Sequence, residues 1–240
     1  WLPVGRIVNI DGRGEFFIRE HRHADLTTPT VVLLHGWTAS SDLQFFTAYE
    51  ALAERCSFIG IDHRGHGRGL RSPAAFTLED VADDVAAVLR HLGASNVIAI
   101  GYSMGGPISM LLARRHPDLV AGLIAQATAL EWSGSLVERL RWRFLPVMGT
   151  FLRSRVAGRF MKKFLEKTFA EEYGLRRYIP WLRGESQRVD IGAVRAAGRA
   201  LSAYNATDWA GSLNVPAGML ITTHDRLVNP GNQRALAKAL

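Results

Sequence analysis

The chain has 240 residues, 48% hydrophobic and 21% charged, a length that suits one α/β domain, which can run undivided to about 200–250 residues, and that excludes a disordered tail or a small stapled scaffold. Its single cysteine, Cys56, excludes an internal disulfide and a cysteine-based metal cluster. The net charge of +7 comes from one segment, since residues 131–205 hold 15 Lys or Arg against 7 Asp or Glu; without zinc-finger spacing or an aromatic RNA-binding box, no nucleic-acid partner is expected.

The chain opens with a hairpin pattern, strands Arg6–Ile10 and Glu15–Glu20 on either side of the turn pairs Asp11-Gly12 and Arg13-Gly14. Thr30–Leu34 is a near-continuous run of β-branched residues and Leu, and Ser57–Ile61, Asn96–Gly101 and Val120–Ala125 repeat that signal. Helical patterns lie between these runs. The first starts at a Ser40 or Ser41 cap and runs through Arg55. The second follows Thr77-Leu78-Glu79-Asp80, a capping box with Asp in place of Glu or Gln, and stops at Gly93. A third follows Gly105-Gly106, with Pro107 in its first turn, and ends before His116-Pro117. Strands alternating with helices predict an α/β fold with a mostly parallel central sheet covered by helices on both faces.

At residue 131 the alternation halts, and about seventy helical, aromatic and basic residues precede the next strand pattern, Pro216–Thr222. The expected organisation is a core over 1–130, an inserted helical lid over 131–205, and the core resuming over 206–240. Within the lid, Leu136, Leu140, Phe144, Val147 and Phe151 recur at helical spacing. With Arg153, Arg155, Lys162 and Lys163 nearby, they predict a lid that covers a hydrocarbon tail and approaches anionic lipid; a solvated Arg face seated on the core is the competing expectation. No apolar run reaches the ~20 residues of a membrane-spanning helix.

Gly101-Tyr102-Ser103-Met104-Gly105 follows a strand pattern and opens a helix, the context in which Gly-x-Ser-x-Gly has mechanical meaning. Glycines permit the tight turn that lifts the Ser103 hydroxyl off the sheet edge, and a helix N-terminus directs N–H groups at developing negative charge. Ser103 is therefore the expected nucleophile. Upstream, Leu33-Leu34-His35-Gly36-Trp37 ends another strand at a glycine hinge, so the Trp37 N–H pairs with that of Met104 as an oxyanion hole, or Trp37 walls the pocket. His35 is read as a structural imidazole rather than a base, and with Gly36 and Tyr102 it is assigned to the substrate site.

Through the His35-Gly36-Trp37 loop, Asp62-His63-Arg64-Gly65-His66-Gly67, the Ser103 pentapeptide and Thr223-His224-Asp225, the chain resembles the α/β-hydrolase superfamily of serine esterases and lipases over nearly its whole length. The resemblance implies a nucleophile, an acid and a histidine in that chain order. It makes Asp225 the acid, with Glu131 as the alternative carboxylate, and makes His63 and His66 scaffold groups. The family histidine has no matching position. A loop, helix, loop and strand need about 25 residues after the acid, so it is expected beyond Leu240, in a chain that also starts at Trp1 rather than Met and has room for a removed signal or anchor.

The resemblance implies hydrolysis of a carboxylic or lipid ester through an acyl-enzyme, without cofactor or metal; location is left open by a chain that starts at Trp1, with the cytoplasm or a membrane periphery as the expectation. A thioesterase, carbon–carbon hydrolase, acyltransferase or cofactor-free haloperoxidase shares the triad, and a noncatalytic ligand receptor on the same scaffold is the reading from another class.

Overall fold

The computed structural model describes residues 1–72, 74–136, 138–140, 142, 176–188 and 190–240. An antiparallel hairpin of β1 (Val4–Ile10) and β2 (Gly14–His21) opens it, turning where the Asp-Gly and Arg-Gly pairs require: Gly12 and Gly14 adopt φ of 72° and 119°. Next come β3 (Thr30–Leu34), α1 (Ser41–Phe45), α2 (Tyr49–Ala53), β4 (Ser57–Ile61), α3 (Leu78–His91), β5 (Val97–Tyr102), α4 (Gly105–Arg115) and β6 (Val120–Gln126). After them the described residues form α5 (Ile179–Ser186), α6 (Ile191–Ala203), β7 (Ala217–Leu220) and α7 (Pro230–Ala239). The strands build a seven-stranded sheet in the order β1-β2-β4-β3-β5-β6-β7. β2 meets β4 antiparallel, and every pairing from β4 to β7 is parallel.

Burial on both faces is why the strands read as continuous apolar runs. Successive side chains alternate across the sheet, so Val32, Leu34, Ile59 and Ile61 enter the core shared with α3 and α4, while Val31, Leu33 and Phe58 enter a second core with Phe45 and Tyr49. α3 starts at a capping box with both arms formed: Thr77 Oγ1 accepts from the Asp80 N–H, and the Asp80 carboxylate accepts from the Thr77 N–H at 2.7 Å. Asp thus serves where Glu or Gln is usual.

One expected helix is two. A continuous helix would hold Ser41 and Asp42 about 10–12 Å along the axis from Tyr49, yet the fully buried Tyr49 stacks on Phe58 and its hydroxyl bonds Ser41 Oγ at 2.9 Å and Asp42 at 3.3 Å. Breaking the helix between α1 and α2 allows that return. Phe46, at the break, packs instead against Tyr178 and Trp181. Of the expected lid stripe, Leu136 and Leu140 are exposed, and the apolar and basic positions expected from 143 to 167 lie outside the described residues.

The C-terminal part of the inserted segment is fastened to loops at the C-terminal edge of the sheet. Arg68, after β4, pairs with Glu185 of α5; Arg71 donates to the Arg188 carbonyl; and the Trp37 indole N–H donates to the Val194 carbonyl of α6 at 2.9 Å.

Candidate active site

The turn from β5 into α4 stands on two glycines that nothing larger can replace. A Cβ on Gly101 would collide with the Gly105 backbone, and one on Gly105 with the Leu34 carbonyl of β3. Between them Ser103 takes φ of 51°, the left-handed region that costs a non-glycine residue about 1–2 kcal/mol. Its N–H donates to the Gln126 carbonyl at the end of β6 (2.8 Å), and its carbonyl accepts from Gly106 (2.9 Å). Both bonds fix the turn through the backbone, and Ser103 stays partly exposed.

The loop after β3 lies against this turn. A methyl on Gly36 would sit 3.4 Å from Ser103 Cβ and 3.3 Å from the Tyr102 ring, tight enough that the ring would have to give by a few tenths of an ångström. Among the described residues, neither the Trp37 nor the Met104 backbone N–H meets an acceptor. Met104 precedes the first turn of α4, so its N–H lies at the electropositive end of that helix.

His35 holds the loop from beneath. Its ring is fully buried; Nδ1 donates to the Gly36 carbonyl (2.8 Å), and Nε2 accepts the His63 N–H (3.0 Å). A carbonyl only accepts and an N–H only donates, so the ring is neutral with its proton on Nδ1. Burial, reinforced by the charges His63 and His66 would carry, keeps its pKa well below the ordinary value. Both ring nitrogens are thus spent on backbone, and what His35 brings to a ligand is the shape of its loop. His63 and His66 pack beside it, with ring centroids 4.2 and 5.5 Å away, and burial first of all pushes them down to about 3 and about 4. No histidine is hydrogen-bonded to Ser103 or Asp225 among the described residues. His224 is exposed, with Nδ1 against the Thr223 hydroxyl.

The loop holding these histidines is organised by Asp62. Its buried carboxylate accepts the Ser41 and Arg68 N–H groups, each at 2.8 Å, and burial still pushes its pKa up to about 6. Beyond it Arg64 forks onto Asp84 of α3 at 2.6 and 2.7 Å.

Asp225 follows β7 in a loop that aims its carboxylate. Oδ1 accepts the Leu227 and Val228 N–H groups at 2.8 and 3.0 Å, and Oδ2 accepts the Thr222 hydroxyl at 2.8 Å. The half-buried Tyr102 phenol has its pKa raised by burial and then by the charge of Asp225. Glu131, the alternative carboxylate, follows β6. It accepts from Asn205 and, with Glu138, Asn229 and Asn232, lines a cavity of about 290 Å³. The sequence gives no sign of Thr222 and Gln233, which brace the Asp225 loop; a polar residue inside the α7 pattern looks like any solvated helical position.

A family model described as alpha/beta hydrolase fold matches residues 29–240. The 2-(acetamidomethylene)succinate hydrolase of Mesorhizobium japonicum is 33% identical over 97 residues, 40% of this chain and 34% of that protein. Matches to the curated relatives of this kind span roughly a third of those proteins' lengths. Among solved structures, an esterase from Exiguobacterium antarcticum superposes with a TM-score of 0.80 at 19% identity, covering 99% of this chain and 88% of that one. The enol-lactonase of Burkholderia xenovorans LB400 does so with 0.77 at 22% identity, covering 98% and 87%.

Proposed function

The chain belongs to the α/β-hydrolase fold family, and from that premise we propose that it is a serine hydrolase opening a carboxylic or lipid ester through an acyl-enzyme intermediate. The observation that carries this reading is Ser103 at φ of 51° between two glycines, with the Gly36 loop against it. That turn presents the partly exposed serine at the N-terminus of α4, where backbone strain is often retained for a functional reason.

In this mechanism the Ser103 hydroxyl attacks the substrate carbonyl as a histidine outside residues 1–240 accepts its proton. Asp225 orients that histidine through the open side of its carboxylate. The Trp37 and Met104 N–H groups receive the oxyanion, where preorganised donors act at no cost of reorientation. The histidine then protonates the departing alcohol, and water, deprotonated by the same histidine, releases the acid and restores Ser103. His35 and Gly36 shape the oxyanion loop, Tyr102 flanks the nucleophile, and residues 131–205 act as a cap that selects the acyl group. The relative named as a 2-(acetamidomethylene)succinate hydrolase favours a carbonyl substrate.

The test uses the chain continued past Leu240, assayed on an activated ester. Ser103→Ala is expected to lower kcat by about 10⁶, as loss of the nucleophile does in other serine triads. Turnover within tenfold of the parent in Ser103→Ala would remove the nucleophile assignment.

A further inference from the structure

We propose that Gln233 is a positioning residue for the acid, acting through the Thr222 hydroxyl on Asp225. The proposal rests on the reading of Asp225 as the triad carboxylate. Gln233 lies on α7 with its side chain fully buried, where an unmet amide would be costly. Its Oε1 accepts the Thr222 N–H at 2.9 Å, and its Nε2 donates to the Val228 carbonyl at 2.9 Å and to Thr222 Oγ1 at 2.8 Å. Turning the amide over would set NH₂ against N–H and oxygen against oxygen, so its orientation is unique.

The direction of every proton in the network follows. Thr222 Oγ1 receives the Gln233 N–H, which leaves its own hydrogen to point at Asp225 Oδ2, 2.8 Å away. A carboxylate offers about four in-plane acceptor sites. Two on Oδ1 take the Leu227 and Val228 N–H groups, and one on Oδ2 takes the Thr222 hydroxyl. Among the described donors the remaining site is on Oδ2, so an incoming imidazole N–H has one direction of approach, set by the Thr222 bond on the other side of the same oxygen. Gln233 also ties the end of β7 to Val228, closing the loop that carries Asp225 at both ends.

The experiment measures kcat and KM on an activated ester for Thr222→Val, Thr222→Ser, Gln233→Met, the Gln233→Met/Thr222→Val pair and Asp225→Asn, each in the chain continued past Leu240. Thermal melting confirms that folded protein is assayed. Thr222→Val is expected to lower kcat about tenfold or more with KM unchanged, because a charge-assisted hydrogen bond that sets the acid's orientation is lost. Thr222→Ser, which keeps the hydroxyl, recovers most of that turnover. Gln233→Met is expected to lose a similar factor, and adding Thr222→Val to it brings little further loss, since both act on one path. Should Gln233→Met fail to fold, the Val and Ser variants at 222 carry the test alone. Parental kcat in Thr222→Val, equal losses in Val and Ser, or multiplying losses in the pair would overturn the proposal. A large fall in Asp225→Asn beside an unaffected Thr222→Val rejects the positioning role and leaves the acid in place; an active Asp225→Asn rejects the acid assignment and this proposal with it.

Discussion

Asp225→Asn conserves the size of the side chain and the acceptor at Oδ1 but converts one carboxylate oxygen into an amide. If the amide NH₂ takes the Oδ2 position it faces the Thr222 hydroxyl, while Oδ1 still accepts from the Leu227 and Val228 N–H groups. Folding should survive, and kcat should fall by about 10⁴ because the histidine is offered the wrong partner. Circular dichroism beside a steady-state assay checks both halves, and a loss smaller than tenfold would move the acid role to another carboxylate. At this scale Ser103 and Gly36 were legible in the sequence, because a strained turn and a close backbone approach admit few residue types. Gln233 was not, because its worth lies in Thr222 and Val228, eleven and five residues back in the chain, and no local pattern marks a helical glutamine as buried.

Among the elements, strands with both faces covered announce themselves, and Thr30–Leu34 and Ser57–Ile61 fall where the apolar runs put them. The break between α1 and α2 does not, because it answers to the place of Tyr49 beneath β4, a tertiary demand that overrides helical periodicity. The same holds for the contact between α6 and the loop after β3. Trp37 contributes its backbone N–H to the proposed oxyanion hole and its indole N–H to the Val194 carbonyl of α6, 157 residues away. Trp37→Phe keeps an aromatic ring and removes that donor, so it should cost about 1 kcal/mol from the lost bond and unpaired carbonyl. It should also lower kcat more than it raises KM, because the loop that places the oxyanion donor loses an anchor. Chemical denaturation together with Michaelis profiles measures both effects. Unchanged stability would mean that α6 and the loop are joined by packing alone.

For the whole molecule, the burial of three packed histidines sets the sign of a pH dependence of stability. An unfolded histidine takes a proton near 6.5, whereas His63 and His66 do so in the fold only near about 3 and about 4, and His35 lower than its ordinary value. Between these values the unfolded chain binds more protons, so stability is lost as pH falls below 6.5. The loss amounts to about 2 kcal/mol for one such ring between about pH 7 and pH 5. Asp62, pushed up to about 6, acts in the opposite sense, because the folded state gains its proton first; its displacement is smaller than that of either His63 or His66. The urea midpoint is therefore expected to fall between pH 7 and pH 5. His63→Leu should reduce the fall, since neither His63 ring nitrogen meets a partner among the described residues and an apolar side chain has no proton to gain. A midpoint that is level or rises on acidification would contradict the neutral cluster. These rings also explain why a count of eight histidines in the sequence reveals so little about the base: three are packed together beside the Gly36 loop for structural reasons that only packing discloses.

Nucleophilic attack by Ser103 is the step on which the proposed hydrolase depends, and covalent capture tests it without a known substrate. The chain continued past Leu240 is incubated with an activated organophosphonate, which forms a stable bond to a triad serine, and then digested and mapped by mass spectrometry. One adduct is expected, on the peptide carrying Ser103, and none in Ser103→Ala. An adduct on any other residue, or equal labelling in the alanine variant, would contradict it.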